Sequence, residues 1–441
     1  MQRSITMERK LFARYPIGNP NRTWRQDNFI VSVSNPGPLG LDVKSPLMLE
    51  RTRRATETAM AAGFNLQEML WASPEVGMEI IRTAERIGAK VVYQNLRRFG
   101  GMGFSKEHFH DEDDLAGAIR DTAQWNCIAG YYVYDEPTNT EQRQEVRKLI
   151  EQLEQIRPDL LPYTVSSANI THINSLADEV CPAQLSFDVY PFGNIPQSLN
   201  AEDQLDHANM WYCLAVARQA AQRIHAPFWF YYQGHELFYH PSFDRYTFTA
   251  SRMMANAALL YGAKQISSYV EFDGFVDPAT GGPGVHFAEQ KQLNEETMKL
   301  GNTLMALDCQ RVIHDCSLAI DSNYKEEWMK IASTMADSEY LEGDLPQRIS
   351  ISELTDTYGH RYLLVLNRDY RQERHFCLKL KNPSRVYRTS ETNGLEQLVF
   401  ENTQSLIGHL TPGSIALYRL QDAAEEPYLV EYYLEKTSIK E

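Results

Sequence analysis

Along the chain, short runs of apolar residues are followed by polar turns and then by stretches with helical periodicity, and this unit recurs. "NFIVSVSNPGP" (28–38) reads as a strand followed by a helix over 46–62. "GFNLQEML" (63–70) is the next strand, with a helix near 74–87. "AKVVYQNL" (89–96) precedes a helix near 111–124, and "IAGYYVYDEP" (128–137) precedes one at 139–156. "LLPYTVSSA" (160–168) leads into "THINSLADEV". "AQLSFDVYPF" (183–192) is followed by a helix near 203–223, "APFWFYYQG" (226–234) by one near 246–260, and "AKQISSYVEF" (263–272) by one near 288–308. Eight strand–helix units predict a (β/α)₈ barrel. The runs are continuously apolar rather than alternating, as parallel strands covered on both faces are. A doubly wound open sheet is the competing architecture. Its glycine-rich first turn, G-x-G-x-x-G, is absent after the first strand.

Past residue 310 the period changes. "RISISEL", "RYLLVLNRD", "RHFCLKL", "SRVYRTS", "LEQLVF" and "SIALYRL" are short segments split by turn residues, the pattern of an antiparallel β-sandwich. "LTPGSIALYRL" (410–420) reads as its last hairpin. The expected organisation is an N-terminal arm (1–25), a barrel (26–310), a small C-terminal β-sandwich domain (311–425) and a tail (426–441).

Composition narrows the function. The net charge is −15, from 43 basic and 58 acidic residues, which disfavours nucleic acid or an anionic membrane as partner. No run approaches the ~18 apolar residues of a membrane helix, and the N-terminus has no apolar signal core. The six cysteines are dispersed without a C-x-x-C pair, so free thiols in a reducing compartment are expected, and with them a cytoplasmic location. Neither a metal nor a cofactor is expected. The acidic surface is compatible with a homo-oligomer. With 24 Tyr, 18 Phe and 6 Trp, the chain has enough flat rings to build an aromatic cleft.

In a (β/α)₈ barrel the chemistry lies at the C-terminal ends of the strands. The second strand ends near Asn65, Glu68 and Trp71, and the third at Gln94, Asn95 and Arg97. The fourth ends at Asp135 and Glu136, and the sixth at Asp188 and Tyr190. The seventh ends at Gln233, His235 and Glu236, and the eighth at Glu271 and Asp273. No His-x-His opens the first strand, as a metal-dependent amidohydrolase would have it. Carboxylates, amides and rings together describe a sugar site, because carboxylates supply the acid, base and nucleophile of glycosidic cleavage. Two adjacent acids before Pro137 exceed what capping a helix from Thr138 needs.

The strand order, with "GYYVYDEP" on the fourth strand, "LSFDVYPF" on the sixth, "APFWFYYQG" on the seventh and "NAALLYGAKQISSY" leading into the eighth, resembles the β-galactosidase-like clan A of glycoside hydrolases. The likeness is to family-42-type enzymes and covers residues 25–310. It implies a general acid/base Glu after the fourth strand, a position matched by Glu136. Asp135 stands where the family has Asn. It also implies a nucleophilic Glu ending the seventh strand, where this chain has Tyr232 or Gln233.

The second carboxylate is therefore sought among Glu271, Glu236 and Asp188, with Glu271 ranked first because a strand end holds a side chain more rigidly than a loop. Asp135, Asp188, Tyr190, Gln94, Asn95, Gln233, Trp71 and Tyr232 are the expected substrate-binding residues, Tyr232 being read alternatively as strand core. The expected activity is hydrolysis of an oligosaccharide or glycoside. The rival readings are a non-catalytic carbohydrate-binding barrel and a sugar lyase.

Overall fold

The computed structural model describes residues 7–34, 46–69, 72–97, 104, 114–191, 210–234, 247–269, 274–318, 320 and 322–436. After a first strand, β1 (Glu8–Arg14), the eight predicted barrel strands follow. They are β2 (Ile30–Ser34), β3 (Leu66–Glu68), β4 (Val91–Tyr93), β5 (Ile128–Asp135), β6 (Leu161–Ser166), β7 (Leu185–Val189), β8 (Phe228–Gln233) and β9 (Gln265–Tyr269). Each pairs in parallel with its successor, and β9 returns to β2, so the sheet closes. Helices Pro46–Ala61, Pro74–Ile87, Asp114–Thr122, Thr140–Ile156, Ile170–Ser175, Met210–Arg223, Phe248–Leu260 and Phe287–Ala306 surround it.

Strand alternation sorts the side chains into two cores. Leu66, Val92, Tyr132, Leu161, Tyr163, Val165, Trp229 and Tyr231 fill the barrel interior. Their sequence neighbours, such as Val31, Val91, Phe187, Phe230 and Ile266, face the helices. Part of the N-terminal arm closes the lower end. Trp24 packs edge-on against Trp229 with ring centroids 5.8 Å apart, and Trp229 Nε1 donates to Gln26 Oε1 at 2.9 Å.

Gly130 is needed where β5 meets β6. A Cβ there would lie 2.6 Å from Leu161 Cβ and still closer to its carbonyl oxygen, which is fixed in the sheet. Gly130→Ala is expected to destabilise the protein by about 1–3 kcal/mol, the usual range for overpacking. Denaturant unfolding of the variant checks this.

The C-terminal region is antiparallel, as predicted. It comprises β10 (Asp308–His314), β11 (Leu341–Glu342), β12 (Ile349–Thr355), β13 (Arg361–Asn367), β14 (Arg374–Thr389), β15 (Glu396–Leu410) and β16 (Ile415–Asp422). "RHFCLKL" and "SRVYRTS" belong to one bent strand, β14, whose register shifts between Lys379 and Ser384. Its first half pairs with β11 and its second half with β16, so a single sheet folds over its own apolar core. β16 pairs with β13 and β14 and not with β15, so 410–420 is a connection and not a hairpin. One face of β13 (Leu363, Val365) lines this second core, and the other (Tyr362, Leu364, Leu366) joins the barrel's outer core.

The two ends of the chain meet. β1 pairs in parallel with β17 (Tyr428–Leu434), which joins the arm to the tail. Phe12 is held there against Tyr358 and His360, with centroids at 4.9 and 4.6 Å.

Candidate active site

The fourth barrel strand carries an irregularity that aims its carboxylates. Along β5 and β6, Tyr132 is opposite Tyr163, but Tyr134 is opposite Thr164 and Asp135 opposite Val165, so β5 has one extra residue between Tyr132 and Tyr134. Tyr163 and Val165 face the barrel interior, whereas Val133 and Tyr134 pack into the outer core. Simple alternation would turn Tyr134 inward; the bulge gives that side to Asp135. Bulges beside active sites commonly re-aim a side chain in this way. The next residue, Glu136, has φ +44°, in the left-handed region, and is followed by Pro137. A non-glycine residue there costs about 1–3 kcal/mol and persists only where its surroundings hold it. The Glu136 N–H donates to the Val165 carbonyl at 3.1 Å.

Neither acid caps the following helix. That helix begins at Thr140, and its N-cap is Asn139, whose side chain accepts from the Gln142 N–H while Gln142 closes the capping box. Asp135 and Glu136 are thereby left for other work. Tyr132 donates its hydroxyl to Asp135 Oδ1 at 2.5 Å. Burial first, and the Asp135 charge second, push the Tyr132 phenol well above its ordinary pKa, so it remains a donor.

Asp188 arrives from the inward side of β7 and hydrogen-bonds Glu136. Burial, then the charge of Glu136, then that of Asp135, hold the Asp188 carboxyl well above the usual carboxylate range. Burial also raises Glu136, while the bond from Asp188 opposes that rise. Two carboxyls in hydrogen-bond contact cannot both ionise cheaply, so the pair shares one proton and titrates as a unit. Tyr190 hydrogen-bonds Asp188 and stacks on Tyr269 from the eighth strand, with centroids 4.8 Å apart at 29°.

Below this mouth lies a fourth acid. Glu68, the last residue of β3, is 0% exposed inside the barrel. It accepts from the Tyr231 hydroxyl, from Ser267 Oγ at 3.2 Å and from Gln265 Nε2 at 3.3 Å. Tyr163 donates to the Tyr231 hydroxyl and lies 3.4 Å from Ser186 Oγ, two residues before Asp188. Burial pushes the Glu68 carboxyl up to about 7, against the opposing hydrogen bonds of Tyr231, Ser32 and Ser267.

Comparison with solved structures places this architecture. The β-galactosidase of Rahnella sp. R3 superposes with a TM-score of 0.53 at 8% identity, over 90% of this chain and 98% of that one. A catalytic mutant of a GH42 β-galactosidase from G. stearothermophilus gives 0.51 at 8% identity, over 92% and 99%. A Bacteroides fragilis protein assigned as an α-galactosidase gives 0.50 at 10% identity, over 90% and 79%. The barrel and its C-terminal antiparallel sheet are a fold shared with glycosidases. No protein-family model and no curated protein sequence matches the chain.

The structure unites some of the sequence-predicted residues and separates others. Asp135, Glu136, Asp188 and Tyr190 come together at the barrel mouth. Tyr232 does not: it faces the helices, fully buried, and its hydroxyl accepts from Gln290 at 2.9 Å. That is the strand-core reading of this residue, and it follows from alternation, since Tyr231 and Gln233 take the inward positions. Gln94 and Asn95 are fully buried, and each accepts from a backbone N–H, of Ala72 at 3.0 Å and of Arg97 at 3.1 Å. Gln233 is 1% exposed, and its carbonyl accepts from Ser251. Trp71, Glu236 and Glu271 lie outside the described residues. Glu68 was legible as a strand end, but its burial against a tyrosine and serines from three other strands had no local signature. Among the described residues no helix is long and apolar enough to cross a membrane.

Proposed function

We propose that the protein hydrolyses glycosidic bonds, with the Glu136–Asp188 pair holding the proton delivered to the leaving oxygen. The observation that carries this reading is a hydrogen-bonded carboxyl pair at the mouth of a (β/α)₈ barrel, beside an acid, Asp135, that accepts from a buried tyrosine. A carboxyl that carries a proton beside a second carboxyl placed to accept one is the acid/base division that glycoside cleavage needs. The clan A resemblance, which assigns the acid to Glu136, and the fold shared with galactosidases support the same chemistry.

The pair cannot supply both catalytic roles. Glycosidase acid and nucleophile sit ~5–5.5 Å apart in retaining enzymes and ~6.5–9.5 Å apart in inverting ones, whereas hydrogen-bonded carboxyls leave no room for sugar or water between them. Asp135 is our candidate for the second role, because it adjoins the pair and accepts from the buried Tyr132 hydroxyl. Glu271 and Glu236 are the further candidates that the sequence offers for it. Tyr190 and Tyr269 form a stacked aromatic wall suited to the apolar face of a sugar ring.

The test is incubation of the purified protein with aryl α- and β-galactosides, then other aryl glycosides, following release of the phenol and the anomer first formed. Release with a single anomeric outcome is expected. Binding without turnover would favour a carbohydrate-binding barrel, and an unsaturated sugar product would favour a lyase; either result overturns the hydrolase reading.

A further inference from the structure

Away from the barrel mouth, β14 and β15 present a second chemical grouping. In the first part of β14, Phe376, Leu378 and Leu380 point into the sheet's core, and His375, Cys377 and Lys379 point to solvent. His375 stands directly opposite His409 in the ladder. Their rings lie 4.7 Å apart between centroids, inclined at 37°. Glu373, two residues before His375, reaches the same place, with its Oε2 3.1 Å from His409 Nε2. One donor atom from each of the three lies within 4.8 Å of the other two.

Beyond the contact between Glu373 and His409, the surroundings leave these donors uncommitted. Among the described residues neither ring nitrogen of His375 has a hydrogen-bond partner, and Glu373 bonds only His409. The nearest cation in sequence, Arg374, is engaged by Asp369. Two imidazoles in contact repel when both are protonated, and one carboxylate offsets only part of that. A metal ion instead uses the lone pairs of both rings. Zinc binds imidazole nitrogen at ~2.0–2.1 Å and carboxylate oxygen at ~2.0–2.2 Å. The donors must therefore close by roughly an ångström, a rotation open to solvent-exposed side chains on paired strands. Two imidazoles and a carboxylate suit Zn²⁺, Ni²⁺ or Cu²⁺, whereas Mg²⁺ and Ca²⁺ want an all-oxygen shell.

We propose that Glu373, His375 and His409 form a binding site for one divalent transition-metal ion of the zinc class, with water completing its shell. Bound there, the ion clips β14 to β15 across the 33 residues that separate the two histidines in sequence, and it stabilises the folded chain by mass action.

The test is titration calorimetry of the full chain with Zn²⁺ alone, with Cys377→Ser in every protein so that the exposed thiol on the same face contributes nothing. One ion per chain is expected, with affinity reduced about tenfold or more by His375→Ala or His409→Ala and less by Glu373→Gln. Zn²⁺ is expected to raise the unfolding temperature of the parent and not of the double histidine variant, while Mg²⁺ leaves both unchanged. The positions are exposed, so the variants fold, and circular dichroism checks that they do. Equal affinity and stoichiometry in the parent and the double variant, or no binding by the parent, overturns the site.

Discussion

Glu136→Gln is expected to lower turnover of aryl glycosides with poor leaving groups by about 10²–10⁴-fold, the range that general acid catalysis contributes. Asp188→Asn is expected to act through the same proton, because the two carboxyls titrate together. The double variant should then lose little more than either single one, as groups acting as a unit do. Leaving groups acidic enough to depart unprotonated, such as dinitrophenolate, should show a much smaller loss.

The pH profile adds a signature that misfolding would not produce. The pair gives up its proton as pH rises, so activity falls on the alkaline side. Asp188→Asn removes the second negative charge that opposes ionisation of Glu136, so that limb should move to lower pH. An unmoved limb, or additive losses in the double variant, would show that the pair is not the acid. Initial rates for the four proteins across pH decide the matter.

Glu68→Gln is expected to change how stability depends on pH. A carboxyl held at about 7 in the fold and near 4.5 when unfolded keeps its proton longer in the native state. The folded protein then binds more protons than the unfolded one between those values, so stability is lost as pH rises through that window. The loss from this group is about 3 kcal/mol, complete above a pH of about 7. The glutamine cannot ionise and lacks this component. Unfolding free energies of wild type and variant at about pH 4 and about pH 8 should therefore show the variant gaining about 3 kcal/mol relative to wild type. A difference that does not vary with pH would show that Glu68 ionises at the same pH folded and unfolded. The measurement needs no substrate, so it stands apart from the hydrolase assignment.

Much of the fold was legible because the forces that set it are local and periodic. Apolar runs of strand length alternate with helical faces, and a parallel sheet buried on both sides leaves that mark whatever its residues go on to do. The barrel, its strand order and the change to antiparallel pairing after residue 310 followed from this. So did the position of Glu136 at the end of the fourth strand, since the sequence carries an Asp-Glu-Pro that turn chemistry alone does not require. Strict alternation also assigns Tyr232 to the outer face of its strand once Trp229 is known to point inward.

What the pattern could not determine was which side chains meet. A bulge between Tyr132 and Tyr134 is a property of how β5 pairs with β6, and it decides that Asp135 faces the cavity. The partner of Glu136 is Asp188, 52 positions away, because adjacent and near-adjacent strand ends converge only when the sheet closes. Residue type and spacing encode neither the burial of Glu68 nor the pairing of the chain's two ends through β1 and β17. Hydrophobic period specifies elements, because each residue answers to its own exposure. The proton held between two acids depends on desolvation and charge contributed by several strands at once, and only the assembled barrel supplies both.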